Sequence, residues 1–247
     1  MHARFWVWVA LALPWVAAPA RADEIRVAVA TNFAAAMNAL VERFEASTGH
    51  TVLVSSGSTG VHYAQIKNGA PFHVFFAADA ERPRLLEAEG AAVAGSRFRY
   101  AVGRVALWSA RAGYVDADGA VLETGDFRHL AIANPDLAPY GAAAREVLAG
   151  RGLLSRLQPR LVTGQDIGQT YSFVQTGNAE LGFVAWAQLR RPGESIAGSY
   201  WLVPDSLHRP IEQEAVLIRD APGARALLEF VKSAEAREII RGYGYGP

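Results

Sequence analysis

The chain has 247 residues, is 51% hydrophobic by composition, and balances 24 Lys and Arg against 24 Asp and Glu. It contains no cysteine, which excludes a disulfide framework and thiolate chemistry. It also lacks the basic excess or stripe that nucleic-acid binding requires. Residues 1–22 carry His2 and Arg4, then an apolar run over 5–18, and finish in Ala20, Arg21 and Ala22. This is the three-part layout of a cleavable export leader with an A-x-A site, so the folded chain is expected to start at Asp23. The alternative is a membrane anchor, but the run is shorter than the roughly 20 apolar residues a spanning helix needs. Losing the leader removes Arg4 and Arg21 and no acid, leaving a net charge of about −2 with His neutral.

From Asp23 onward, short β-branched runs alternate with helical patterns, which predicts parallel sheets covered by helices on both faces. A near-continuous apolar strand is expected over 25–30. Phe33, Met37, Leu40, Val41 and Phe44 then share one face of a helix that stops at Gly49, a residue suited to a left-handed cap. A strand over 51–55, a helix over 61–68 and a strand over 73–77 follow, and Asp79 is placed to cap a helix running to about Glu89. The run over 99–109 exceeds ordinary strand length and contains Gly103, so it is expected to bend or to pass from one sheet to another. A second series follows: strand 130–134, helix from Gly141, strand 160–163, helix from about Gly168, and strands over 181–186 and 200–203. Residues 204–210 read as a return crossing, after which a strand over 214–218 and helices over 224–233 and 235–241 end the chain. The organisation expected is a leader over 1–22, a first lobe over 23–101, a second over 102–205, and a return to the first over 206–247.

Four corners of this pattern share one feature. Residues 30–33 (ATNF), 56–60 (SGSTG), 139–141 (PYG) and 164–167 (GQDI) each follow a strand and open a helix. A helix start presents unpaired backbone N–H groups and the positive end of its dipole, and several starts converging on one point form an anion site without charged side chains. Open α/β sheets bind ligands at such carboxyl-end corners. Thr31 and Asn32 also suit plain capping, and the SGSTG turn is no P-loop because no Gly-Lys-Ser/Thr follows it. The chain has two lysines, Lys67 and Lys232, and neither lies at a corner. A dianion would therefore be held by neutral donors, which weighs against phosphoryl-transfer chemistry. No H-E-x-x-H, G-x-S-x-G or close His/carboxylate group is present, and no cofactor or metal cation is expected. His62, one turn past Thr59, reads as facing the cleft or as a solvated helix position, the second favoured, and Tyr171, Phe173 and Trp186 as core or cleft wall with core favoured. A hydrolytic or transfer enzyme on such a scaffold would need an acid/base pair, for which only Asp79, Asp136 and Asp166 stand near the corners.

The ordered motifs VAVATNF at 27–33 with Ala35, Ala36 and Met37, SSGSTG at 55–60, GAPFHVFFAAD at 69–79, ANPDLAPYG at 133–141, LGFV at 181–184 and RGYGY at 241–245 span nearly the whole chain after the leader. In this set the chain resembles the periplasmic molybdate-binding proteins of ABC importers. The resemblance implies a two-lobed type II periplasmic binding protein fold, α/β in class, each lobe a sheet flanked by helices and joined by hinge strands. It implies a monomer in the periplasm that closes on molybdate or tungstate and is read by a membrane permease. By position, the family's hydroxyl or amide contact falls on Asn32, with Thr31 beside it, and the serine of the second turn falls on Thr59, with Ser58 adjacent. Tyr140 and Ile167 take the places of residues that donate backbone N–H groups. A tyrosine that touches the anion in some members is replaced by Ala185, followed by Trp186, and His73 stands where many relatives have Asp. Sulfate, thiosulfate, phosphate and phosphonate remain alternative ligands that the fold permits.

Overall fold

The computed structural model describes residues 23–246, so the expected leader over 1–22 lies outside the described residues. In chain order the first half comprises β1 (Glu24–Ala30), a single 3₁₀ turn (Thr31–Phe33), α1 (Ala34–Thr48), β2 (Thr51–Gly57), α2 (Thr59–Lys67), β3 (Val74–Phe76), α3 (Glu81–Ala88) and β4 (Phe98–Gly103). There follow β5 (Val105–Ser109), α4 (Val121–Thr124), β6 (Leu130–Ala133), α5 (Pro139–Gly150), α6 (Leu154–Leu157), β7 (Leu161–Gly164), α7 (Ile167–Gln175), β8 (Leu181–Ala185), α8 (Trp186–Leu189) and β9 (Ser199–Leu202). The chain ends with β10 (Ile211–Leu217), α9 (Pro222–Val231) and α10 (Ala234–Gly242).

The strands form two five-stranded sheets, one ordered β2-β1-β3-β10-β4 and the other β7-β6-β8-β5-β9. In the first, β1 pairs in parallel with β2 and β3, and β10 runs antiparallel to β3 and β4. The second repeats the plan: β6 is parallel to β7 and β8, while β5 is antiparallel to β8 and β9. The chain is therefore α/β and two-lobed, and it passes between sheets twice. The first passage is the single residue Arg104 between β4 and β5, so the boundary expected at 101/102 falls inside β4. The second is the stretch 203–210, and β10 begins at Ile211.

Each lobe has its own core. Val27, Val29, Met37, Leu40, Phe44 and Val74 are fully buried in the first, and Leu107, Leu130, Val147, Leu148 and Phe183 in the second. Met37, Leu40 and Phe44 recur at helical spacing on α1, and burying each such side chain contributes about 1.5–3 kcal/mol. The Gly49 N–H closes that helix on the Glu45 carbonyl at 2.9 Å.

Of the boundaries that differ from the sequence reading, three matter for the corners. The helices α2, α5 and α7 start at Thr59, Pro139 and Ile167, one or two residues earlier than expected. Ser58 accepts the Val61 N–H and Asp166 accepts those of Gly168 and Gln169, so these residues are the caps. Pro139 sits at the first helical position, where a missing N–H costs nothing.

Candidate functional site

All four corners meet between the lobes. A single cavity is lined by Ala30, Thr31 and Asn32 after β1, by Gly57, Ser58 and Thr59 after β2, by Ala138, Pro139 and Tyr140 at the start of α5, and by Asp166 and Ile167 at the start of α7, with Ala78 beside them. Every residue singled out at the corners, Thr31, Asn32, Ser58, Thr59, Tyr140 and Ile167, lies on it. The cavity is small: the centre of a water-sized sphere can roam about 10 Å³ within it. That suits a single small inorganic species and is far below the space a drug-sized organic ligand needs.

The first-turn N–H groups divide into two sets. Those of Gly60, Val61, Gly141, Gly168 and Gln169 are taken, by the Leu137 carbonyl, Ser58 Oγ, the Ala138 carbonyl and Asp166 Oδ1. Those of Asn32, Thr59, Tyr140 and Ile167 have no hydrogen-bond partner among the described residues, and all four residues line the cavity. Hydroxyls add to them. Thr59 Oγ1 accepts the Ala78 N–H at 3.0 Å, and Thr31 Oγ1 accepts from Ser56 Oγ at 3.3 Å, so each keeps its own O–H proton to donate. Thr59 is 1% exposed, a burial that polar groups sustain only when paired. The chemistry on offer is a ring of neutral donors at the positive ends of three helices, suited to an anion with several oxygens.

Asn32 differs from its expected use. Its side chain turns away from the cavity: Nδ2 donates to Gln213 Oε1 at 2.8 Å and to the Tyr245 hydroxyl at 3.1 Å. Only its backbone N–H is left for a ligand. Ala185 offers no side-chain donor; it caps α8, and its N–H donates to Gln188 Oε1. Trp186 opens that helix instead of ending the strand, and packs on Tyr200 with ring centroids 5.1 Å apart. Tyr171 stacks on Trp108 at 4.9 Å, and Tyr171, Phe173 and Trp186 pack against the buried cluster around Trp108, the core position favoured for them.

His62 is 2% exposed, which overturns the solvated position expected for it. Its Nδ1 lies 3.0 Å from Gln65 Oε1, and burial holds its pKa below the usual histidine value. His73 does not line the cavity; its N–H donates to the Arg26 carbonyl at 2.8 Å beside the β1–β3 pairing, and its Nδ1 accepts the Arg26 N–H at 2.9 Å. Asp79 is held by Arg82, and burial still pushes its carboxyl above the usual range.

A larger hollow of about 390 Å³ adjoins the cavity, sharing Ala78 and Pro139 with it. Arg82 and Arg209 are already paired there, with Asp79 and Glu146, while Arg145 is half exposed and only loosely set against Asp136 at 3.9 Å. The small cavity is the better site. Among the described residues no cluster of His, Asp or Glu could hold a metal cation, and no helix is long and apolar enough to cross a membrane.

The two lobes touch around the cavity. Gly60 N–H donates to the Leu137 carbonyl at 2.9 Å, and a Cβ on Gly60 would come within 3.0 Å of Leu137 Cα, so this approach needs glycine. Arg82 Nη2 donates to the Asp136 carbonyl at 2.9 Å.

Residues 25–246 match the family of bacterial extracellular solute-binding proteins. The chain belongs to that family. This solute-binding protein is 53% identical over 241 residues to the molybdate-binding protein ModA of Azotobacter vinelandii, with 96% of each chain covered. It is 50% identical over 234 residues to the molybdate-binding protein ModA of Rhodobacter capsulatus, covering 93% of this chain and 91% of the relative. Among solved structures, the Azotobacter vinelandii periplasmic molybdate-binding protein superimposes with a TM-score of 0.88 at 43% identity, over 90% of this chain and 99% of that one. The two-lobed architecture of this solute-binding protein is thus that of a periplasmic binding protein.

Proposed function

We propose that this chain is the periplasmic solute-binding component of an ABC importer for molybdate or tungstate, and that it grips the tetrahedral dianion with neutral donors from both lobes. The observation that carries the reading is the convergence of four otherwise unpartnered N–H groups, from Asn32, Thr59, Tyr140 and Ile167, on one cavity without Lys or Arg in its wall. Thr31 and Thr59 supply hydroxyls, and Ser58 holds the first turn of α2 in place. The printed names of the relatives at 53% and 50% identity support the choice of molybdate. The ligand bridges the lobes only when they are closed, so its binding energy shifts the hinge equilibrium toward the closed form that a membrane permease reads. Export by the leader over 1–22, action as a monomer and independence of nucleic acid belong to the same proposal.

A thermal-shift series on the purified protein without residues 1–22 tests it, with molybdate, tungstate, sulfate, thiosulfate and phosphate as ligands. Molybdate and tungstate are expected to raise the unfolding midpoint most, since a ligand at a hundred times its Kd adds about 2.7 kcal/mol of stability by mass action. A larger shift with sulfate or phosphate would transfer the site to that anion, and no shift with any of them would end the oxyanion reading.

A further inference from the structure

Behind the cavity lies a buried polar cluster that no proposed ligand contact uses. Its centre is Gln213 on β10, which is fully buried. Gln213 Oε1 accepts from Asn32 Nδ2 at 2.8 Å and lies 2.9 Å from the Tyr100 hydroxyl; Nε2 donates to the Tyr140 hydroxyl at 3.1 Å. Tyr245, from the C-terminal segment, closes the cluster by donating to the Asn32 backbone carbonyl at 2.7 Å while accepting from its Nδ2. Burial pushes the Tyr100, Tyr140 and Tyr245 hydroxyls above the usual tyrosine range, so all three stay neutral.

Gln213, Asn32, Tyr100 and Tyr245 belong to the first lobe, and Tyr140 alone comes from the second. Its ring crosses the boundary beside the hinge and ends against Gly103, the last residue of β4. A Cβ at Gly103 would stand 2.3 Å from the Tyr140 hydroxyl and 2.5 Å from Gln213 Nε2, so the missing side chain is the socket that admits both. One primary amide thereby ties together two residues, Asn32 and Tyr140, whose backbone N–H groups face the cavity from opposite lobes.

We infer that Gln213 is a positioning residue and the Tyr140 hydroxyl an inter-lobe strut: together they fix the spacing between the two halves of the donor ring and so set which anion radius the closed protein accepts. The inference rests on the oxyanion reading above and deepens it. Donor rings discriminate by geometry, because hydrogen bonds weaken steeply when stretched or bent. Two half-rings held at one distance reject a smaller anion that two loosely joined halves could close upon. Nothing in the strut touches the ligand, so its effect falls on selectivity as well as on affinity.

The test is a double-mutant cycle with Tyr140→Phe and Gln213→Met, reading calorimetric affinity for molybdate and for sulfate, and the unfolding midpoint without ligand. Tyr140→Phe is expected to fold, to weaken molybdate binding about tenfold, and to lower the molybdate-to-sulfate ratio of affinities, because it leaves Gln213 Nε2 without its partner. The double variant is expected to bind no worse than the weaker single one, the signature of two groups acting through one contact. If Gln213→Met does not fold, Tyr140→Phe alone decides through the ratio, which a purely structural role would leave at its original value. An unchanged ratio in Tyr140→Phe, or additive losses in the double variant, overturns the strut. Failure of the unsubstituted protein to bind any tetrahedral oxyanion overturns the functional reading itself, and the strut with it, and is told apart by the starting protein alone.

Discussion

Thr59 does two jobs with one oxygen. Its lone pair accepts the Ala78 N–H across the first lobe, and its proton is free for the cavity. Thr59→Val keeps the shape and deletes both roles. Without ligand it is expected to lose about 1–3 kcal/mol of stability, because the Ala78 N–H is left unpaired where water does not reach it. With molybdate the gap to the unsubstituted protein should widen, as the midpoint of urea unfolding with and without the anion will show. Thr59→Ser retains the oxygen and should restore most of both effects. A Thr59→Val protein whose midpoint rises as far with molybdate as the original would take the hydroxyl out of the site.

At the level of elements, the helix starts decide where donors point. The Asp166 carboxylate caps α7 by accepting from Gly168 and Gln169 at 2.7 and 3.0 Å, which leaves the N–H of the cavity-lining Ile167 as the first-turn group without a partner among the described residues. Asp166→Ala is expected to cost about 0.5–2 kcal/mol in stability through the lost cap. It should also weaken the anion complex as the first turn frays, an effect that titration calorimetry would resolve; unchanged affinity would mean that Ile167 is positioned by the lobe contact alone. The strands and long helices were legible because alternating β-branched runs and the 33, 37, 40, 44 spacing of α1 leave a clear period. The four-residue helices α4, α6 and α8 were not, since one turn carries no period, and Trp186 reads as strand on composition while opening α8. The corners were legible as corners, and all six of their candidate residues lie on the cavity. The direction of the Asn32 side chain was not, because a cap residue looks the same in sequence whichever way its amide turns. Gln213 escaped altogether: it stands between Glu212 and Glu214 in the polar first half of β10, and the strand was expected to start only at 214. Yet Ile211, Gln213, Ala215 and Leu217 are all buried and alternate along the strand, and that inward register was the available signal.

The whole molecule is two similar sheets tied by Arg104 and by residues 203–210, with further hydrogen bonds from one lobe to the other around the cavity. Arg82 makes one of these, anchored to Asp79 in the first lobe and donating to the Asp136 carbonyl in the second. Arg82→Ala should favour the open form and so raise the dissociation rate of molybdate about threefold to tenfold, with little change in association, since most variation in affinity resides in departure. Stopped-flow fluorescence from the chain's own tryptophans is a direct readout, and an unaltered dissociation rate would exclude Arg82 from closure.

The narrowness of the cavity has a thermodynamic consequence. A space in which one water-sized sphere barely moves leaves little room for a hydration shell, so an ion that enters sheds most of its solvent. That stripping costs less for a larger ion than for a smaller one of equal charge, because the Born energy of an ion falls as its radius grows. The enclosure therefore taxes the smaller of two equally charged ions before any donor has measured it, and favours a dianion whose charge is spread over a larger radius.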